Sequence, residues 1–285
     1  MDWLLTEQAN PASAGIDRLS TEEMLRIIND EDRKVAASVA AELPHIAQAV
    51  DAIALALGNG GRLFYIGAGT SGRLGVLDAS ECSPTFNVPA GMVQGIIAGG
   101  EAALSRATET TEDDASIGVR DLLERGFCAR DVLCGIAASG RTPYVLGAVD
   151  EAGKLGALTI GISCTPDSEL SRRVRIAITP TPGPEIIAGS TRLKAGTATK
   201  LVLNMLTTGA FIRLGYVRGN LMVNVQPKNS KLRDRAQRII GAVTGASYDE
   251  AGRMLTAAGD DVKTAILRAE KAKDTKERDS WISSL

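Results

Sequence analysis

The sequence predicts an α/β fold built on a doubly wound, parallel, five-stranded sheet, and three observations support this class. Five short apolar runs alternate with stretches of helical periodicity. These runs are mostly apolar rather than alternating with polar residues, which is typical of parallel strands covered on both faces. Two of them end in glycine- and hydroxyl-rich turns that open helices, as at the carboxyl edge of such sheets. Right-handed crossovers then give a flavodoxin-like sandwich, flanked by a helical N-terminal segment and a small C-terminal helical bundle.

The N-terminal part is predicted to be helical. Ser20 and Glu23 form a capping-box pattern that starts a first helix. A second helix is predicted from about Asp32 to Leu57, with a break allowed near Pro44. The glycine-rich residues 58–61 end it.

The middle of the chain alternates strands and helices. The predicted strands are Leu63–Ile66, Met92–Ala98, Val132–Ala137, Leu158–Ser163 and Ile176–Thr179. The predicted helices are at about Gly72–Cys82, Glu101–Glu124, Pro143–Leu155, Asp167–Arg172 and, after a proline-rich stretch, Ser190 to Leu214.

The C-terminal part follows a different pattern. Arg218–Asn229 is polar and rich in turn-forming residues, so we predict an extended linker. Three short helices are predicted after it, at Leu232–Val243, Tyr248–Ala257 and Val262–Ala269, and Glu270–Leu285 is charged and expected to fray. The predicted organisation is a helical segment (1–50), an α/β domain (51–217), the linker (218–231) and a bundle with a charged tail (232–285).

Composition and charge exclude several classes of function. The net charge is −2 and the pI is near 5.7, so no basic field favours nucleic acid. No apolar run approaches a membrane span and no signal peptide opens the chain, so we expect a cytoplasmic protein without a membrane partner. The single histidine, His45, and four cysteines without paired spacing predict no metal site.

The two glycine- and hydroxyl-rich turns predict a phosphate site. Free amides at a helix N-terminus, the helix dipole and Ser or Thr hydroxyls together favour an anion. We expect the hydroxyls of Thr70, Ser71, Ser139 and Thr142 to donate to it, assisted by the amides of Gly72 and Gly140. The turns thus contribute these predicted binding residues: Gly69, Thr70, Ser71, Gly72, Ser139, Gly140, Arg141 and Thr142.

The first turn formally matches the dinucleotide pattern G-x-G-x-x-G. That interpretation is disfavoured because no Asp or Glu ends the second predicted strand to hold a ribose. The Walker A pattern of triphosphate-binding proteins is also missing from the sequence.

Two carboxylates are candidates for acid–base chemistry. Glu81 has small, mostly uncharged neighbours, so a desolvated carboxylate is expected there. Glu112 lies in an acidic turn, where it could equally complement the dipole of a helix capped by Thr111.

Three further residues have weaker patterns. Ser190 is a plausible N-cap of the long helix, and Lys194 falls in its first turns, either on a binding face or on an ordinary polar face. Lys231 follows the polar segment and is, on its pattern alone, an exposed linker lysine.

Several long motifs together resemble one family. The chain is similar to the N-acetylmuramic acid 6-phosphate etherases of the sugar-isomerase (SIS) superfamily from about Thr6 to Ala269, after which it departs from the family. The most specific stretch is Gly67 through Cys82, which extends past the phosphate turn that other SIS proteins share. Further matching stretches include Ile28–Asp32, Ile97–Glu101, Gly135–Tyr144, Gly161–Cys164, Lys194–Thr197 and Gly219–Val223.

The resemblance implies a cytoplasmic enzyme of cell-wall sugar recycling. It would cleave the D-lactyl ether of N-acetylmuramic acid 6-phosphate by elimination and hydration, without a metal or redox cofactor. Glu81 would be the acid/base at C3 and Glu112 the second acid/base, nearer C2. Lys231 would meet the lactyl carboxylate from the partner subunit of a homodimer with shared active sites.

The residues are also compatible with two alternative functions. A different SIS enzyme, an aldose–ketose isomerase or an aminotransferring relative, would use the same turns, but only an etherase must hold a lactyl carboxylate through Asp78–Cys82 and Lys231. A non-catalytic phosphosugar sensor is the second alternative. The chain retains both glutamates and has no obvious DNA-binding segment, which favours an enzyme.

Overall fold

The computed structural model of the protein describes residues 5–106 and 111–282, with side chains up to residue 272. The chain divides into two compact units. Met1–Cys82 with Pro89–Ala210 form the first, and Ser83–Val88 with Phe211–Leu285 form the second.

The first unit contains a five-stranded parallel sheet, which confirms the predicted fold class. The strand order is β2-β1-β3-β4-β5, the doubly wound order of flavodoxin-like sheets. The strands are β1 (Leu63–Gly67), β2 (Val93–Ile97), β3 (Val132–Ile136), β4 (Leu158–Ile162) and β5 (Ile176–Ile178). Each lies within two residues of its predicted bounds.

Helices follow or precede every strand. Those of the α/β region are α1 (Thr21–Ala40), α2 (Leu43–Gly58), α3 (Gly69–Phe86), α4 (Ala102–Ser105), α5 (Ala115–Glu124), α6 (Pro143–Lys154), α7 (Glu169–Arg173) and α8 (Lys194–Arg213). The predicted single helix Glu101–Glu124 is therefore wrong, because α4 and α5 are separate helices. Residues 107–110 of that prediction lie outside the described residues.

The N-terminal helices differ from their predicted bounds. Ser20 caps α1 through the expected reciprocal bonds with Glu23. However, α1 continues without interruption through Asp32, and the break falls at residues 41–42.

Among the described residues no single helix is long and apolar enough to span a membrane. The pair α1 and α2, bent by 59°, passes that test only when the two are taken together.

The two faces of the sheet carry different helices. Phe64 and Ile66 of β1 pack in one apolar cluster with Leu122 of α5 and Val145 of α6. Tyr65 points to the opposite face, because successive strand residues alternate. There a Cβ added to Gly75 of α3 would lie 2.8 Å from the Tyr65 Cβ. Helix α3 therefore lies on one face of the sheet, and α5 and α6 lie on the other.

The second unit is a small helical bundle with a hairpin. The hairpin pairs β6 (Val217–Arg218) with β7 (Leu221–Met222), and the bundle contains α9 (Ser230–Thr244), α10 (Tyr248–Ala257) and α11 (Val262–Ile282). Two expectations fail here. The predicted linker contains the hairpin, and the tail expected to fray from Glu270 continues α11 to Ile282.

Candidate active site

The first turn joins β1 to α3 at the carboxyl edge of the sheet. Gly72 permits the close approach of α3 to the sheet, because an added Cβ would lie 2.6 Å from both the Gly67 carbonyl oxygen and Ile97 Cγ1. The Gly72 amide donates to the Ala68 carbonyl at 3.3 Å. The amide that the sequence predicted to assist phosphate binding is therefore engaged within the helix in this structure. The first helical amides, those of Gly69, Thr70 and Ser71, have no intrahelical acceptors.

The second turn joins β3 to α6. Gly140 has a φ of +68°, and a Cβ added to it would lie 2.3 Å from Ser168 Cβ, so only glycine fits. Its amide donates to the Ala137 carbonyl at 2.8 Å, so this amide, like that of Gly72, already has an acceptor within the protein. Ser139 and Arg141 are half-buried beside it. Thr142 is the N-cap residue of α6, but its hydroxyl does not accept a hydrogen bond from the first amides of that helix.

The two turns are brought together by the start of α8. A Cβ added to Gly196 would lie 3.5 Å from Thr70 Cγ2, so the first turn contacts α8. On the other side, the Cys164 amide donates to the Ala138 carbonyl at 2.8 Å, and its Sγ lies 3.8 Å from the Ala195 carbonyl oxygen. The hydroxyl-rich turns and the first residues of α8 therefore share one edge of the sheet.

Helix α8 is capped by a carboxylate that the sequence did not reveal. Glu185, which is buried, accepts from the Lys194 amide at 2.8 Å and from the Ala195 amide at 2.9 Å. Ser190, the predicted N-cap, lies four residues before the helix, and its own amide donates to the Ile187 carbonyl. That prediction of a cap is wrong, because a bidentate carboxylate already fills the helix end.

Lys194 is held inside the protein. Its Nζ lies 2.7 Å from Glu31 Oε2 and 3.0 Å from the Pro182 carbonyl oxygen, and its side chain is 1% exposed. Asn10 and Lys34 also donate to Glu31. Burial of Glu31 opposes its ionisation, but the bonds from Lys194, Lys34 and Asn10 outweigh this and lower its pKa to about 2. In this arrangement Lys194 ties α8 to α1.

Asp78 is the buried carboxylate of α3. It accepts from Tyr65 Oη at 3.0 Å, Asn204 Nδ2 at 2.6 Å and Thr207 Oγ1 at 3.3 Å. Burial raises the pKa of Asp78, and the three hydrogen bonds offset this only in part. The network fixes α3 against α8 below the two glycine-rich turns.

The two candidate glutamates have different surroundings. Glu81 is exposed on α3, so the desolvation expected for it is not present in the single chain. Glu112 is half-buried in the turn before α5, where its carbonyl accepts from the Tyr144 amide at 3.1 Å. Asp114, rather than Thr111, caps α5. Across the described ranges no three His, Cys, Asp or Glu side chains are grouped to hold a metal ion.

Lys231 belongs to the second unit. It is the second residue of α9 and is exposed. The predicted binding residues of the two turns thus share one edge of the first unit. Lys194 is buried in the same unit and paired with Glu31. Lys231 is an exposed cation of the bundle.

Solved structures share the fold. A phosphoheptose isomerase from Francisella tularensis matches with a TM-score of 0.50 at 19% identity, over 67% of this chain and 98% of that one. A Bacteroides fragilis protein assigned as a phosphosugar isomerase involved in capsule formation matches with a TM-score of 0.54 at 18% identity, over 73% and 98%.

Sequence relatives are far more similar. Residues 45–153 match the family model of the glucokinase regulatory protein N-terminal SIS domain. The N-acetylmuramic acid 6-phosphate etherase of Serratia proteamaculans is 57% identical over 93% of this chain and 89% of its own length. That of Clostridium botulinum strain Loch Maree is 53% identical over 95% and 90%. Identity at this level over nearly the whole length places the chain in the N-acetylmuramic acid 6-phosphate etherase family.

Proposed function

We propose that the protein is a carbon–oxygen lyase that cleaves the D-lactyl ether of N-acetylmuramic acid 6-phosphate, giving N-acetylglucosamine 6-phosphate and D-lactate. The observation that carries this proposal is the family membership of a chain whose two hydroxyl-rich turns meet at one sheet edge. Incubation with the substrate in heavy-oxygen water tests it. We expect D-lactate to appear and the label to enter the C3 hydroxyl of the sugar. An aldose–ketose product without lactate would instead identify a phosphosugar isomerase.

The phosphate is proposed to bind at the starts of α3 and α6. The hydroxyls of Thr70, Ser71, Ser139 and Thr142 donate to it, together with the first amides of α3. Both helix dipoles favour the charge at this edge. Removal of one charge-assisted hydrogen bond should mainly weaken binding.

Ser139→Ala is expected to weaken phosphosugar binding by about 1–3 kcal/mol, because one donor to a charged group is lost. Calorimetric titration with N-acetylglucosamine 6-phosphate measures this change. Ser38→Ala, which removes a half-buried hydroxyl in α1 that bonds the Val35 carbonyl, is the matched control. Unchanged affinity in Ser139→Ala, or equal binding of the sugar without phosphate, would contradict the assignment.

The chemistry is proposed to be elimination followed by hydration. In the ring-opened sugar the C1 aldehyde acidifies the C2 proton. Glu112 removes that proton, the C3–O bond breaks, and Glu81 protonates the departing lactyl oxygen. Glu81 then deprotonates a water that adds its oxygen to C3, while C2 regains a proton. These steps need no electron acceptor.

We further propose that the enzyme is a cytoplasmic homodimer in which Lys231 pairs with the lactyl carboxylate of the substrate bound by the partner. An exposed lysine on a separate unit is available for such a contact. The phosphorylated amino sugar is the only ligand proposed, without nucleic acid or membrane.

Lys231→Ala is expected to raise KM for the lactyl ether while barely changing affinity for N-acetylglucosamine 6-phosphate, which has no carboxylate. Steady-state kinetics and product titration measure the two effects. Lys228→Ala, at an exposed lysine three positions earlier, is the control. Equal weakening of substrate and product would show that Lys231 does not recognise the lactyl group.

A further inference from the structure

The end of the short helix α4 is held by an arginine of α3. Arg73 directly follows Gly72 in the first turn of α3 and is half-buried. Its Nε donates to the Leu104 carbonyl at 3.2 Å, and its Nη2 donates to the Arg106 carbonyl at 3.1 Å. The last carbonyls of a helix have no intrahelical donors, so an arginine that bonds them stabilises the helix end. Because α4 has four residues, it depends on such outside contacts.

Glu112 follows six positions after Arg106 and is anchored by a different helix. Its carbonyl accepts from the Tyr144 amide at 3.1 Å, which fixes its backbone to the first turn of α6. The next helix, α5, is pressed against the same turn, because a Cβ added to Gly118 would lie 1.9 Å from the Tyr144 carbonyl oxygen. The position of the Glu112 backbone is therefore set by close packing of main chain on main chain.

The two ends of the stretch 106–112 are thus held by the two helices that begin at the glycine- and hydroxyl-rich turns. One end contacts α3 through the side chain of Arg73, two positions after Ser71. The other end contacts α6 through the amide of Tyr144, two positions after Thr142. The contact with α3 is made by a side chain, so a substitution can remove it and leave the contact with α6 in place.

We propose that Arg73 is a positioning residue for the acid/base Glu112. It fixes the end of α4 to the first turn of α3, so the stretch that leads to Glu112 starts from a defined place beside the proposed phosphate site. The carboxylate is then held in one position relative to a sugar whose phosphate is bound at the same two helix starts. A displacement of about 1 Å is enough to slow a reaction about 100-fold. This inference rests on the proposed etherase function.

Arg73→Met tests the role, because it removes both hydrogen bonds and keeps an unbranched side chain. We expect kcat for D-lactate release to fall about 10- to 100-fold, while KM and the affinity for N-acetylglucosamine 6-phosphate change little. Arg73→Lys should keep more of the rate, since its ammonium group can still donate to one of the two carbonyls. Steady-state kinetics and product titration measure these effects, and urea unfolding verifies that each variant is folded.

The matched control is Arg268→Met in the second unit. Arg268 donates to the Ala257 carbonyl, at the end of α10, at 2.7 Å. Its removal takes away the same kind of contact, an arginine on the last carbonyls of a helix. The kcat of this variant should equal that of the wild type.

A double-mutant cycle separates positioning of Glu112 from a general loosening of the site. In a Glu112→Gln background there is no base left to position, so Arg73→Met should cause no further fall in the residual rate. Should Arg73→Met fail to fold, Arg73→Lys carries the same comparison.

Three results would contradict these proposals. An unchanged kcat in Arg73→Met, or an equal fall with and without Glu112, would overturn the positioning role. Weaker substrate and product binding at an unchanged kcat would show that Arg73 serves the phosphate instead. A wild-type protein that releases no lactate would refute the etherase function itself, whatever the Arg73 variants do.

Discussion

Glu81→Gln is expected to slow D-lactate release by about 100- to 10,000-fold, the usual contribution of a positioned acid/base. Glutamine keeps the shape of the side chain but cannot carry a proton to the departing oxygen. Because Glu81 is exposed on α3, the substitution should leave folding and phosphosugar binding unchanged. Turnover under saturating substrate, compared with titration by the product, separates the two effects.

The matched control is Glu124→Gln, which changes an exposed glutamate on α5, a helix of the opposite sheet face. Its turnover should equal that of the wild type. A Glu81→Gln enzyme that keeps more than about a tenth of wild-type turnover would remove Glu81 from the mechanism.

Lys194→Met is expected to destabilise the fold by about 3–5 kcal/mol, because it leaves Glu31 buried without its main counter-charge. Urea unfolding, followed by circular dichroism, measures the loss. The pKa of Glu31, about 2 instead of 4.5, adds a pH dependence. Ionised Glu31 stabilises the folded state above pH 4.5, and this contribution disappears as the pH falls toward 2. The difference between wild type and variant should therefore shrink over that range.

Lys34→Met provides the control for this prediction. Lys34 contacts the same carboxylate, but its side chain is 61% exposed. Its removal should lower the free energy of unfolding by no more than about 1 kcal/mol. Equal losses in the two variants would mean that Lys194 behaves as a surface lysine and does not tie α8 to α1.

The strands were predictable because their signal is local. β1 and β3 are apolar runs that end in glycine-rich turns, and both begin at their predicted residue. The ends of the helices were less predictable than the strands. A capping box fixes the start of α1, but nothing in the nearby sequence separates a stop at Asp32 from a stop at Ala40. The charged residues after Glu270 are good helix formers, and their propensity outweighed the fraying expected from their charge.

The two turns of the site were predictable from the sequence, but the contacts that hold the start of α8 in place were not. Glu185 caps a helix nine positions later, and Lys194 meets a carboxylate 163 positions away, so neither contact follows from local pattern. A partial signal existed for Glu31, which lies one turn before buried Val35 on the same helix face. A carboxylate on such a face indicates a buried cation but does not identify it.

The carboxylate of Glu185 also decides which helix N-termini are open to an anion. It fills the N-terminus of α8, so an incoming anion meets negative charge there rather than open amides. Lys194 does not offset this negative charge, because its ammonium group is paired with Glu31. A substrate with two negative ends can place neither of them against this helix. The proposed phosphate site at α3 and α6 is consistent with this charge, and it would leave the lactyl arm pointing away from α8. For the proposed substrate, this built-in anion would favour one orientation of the sugar by repulsion.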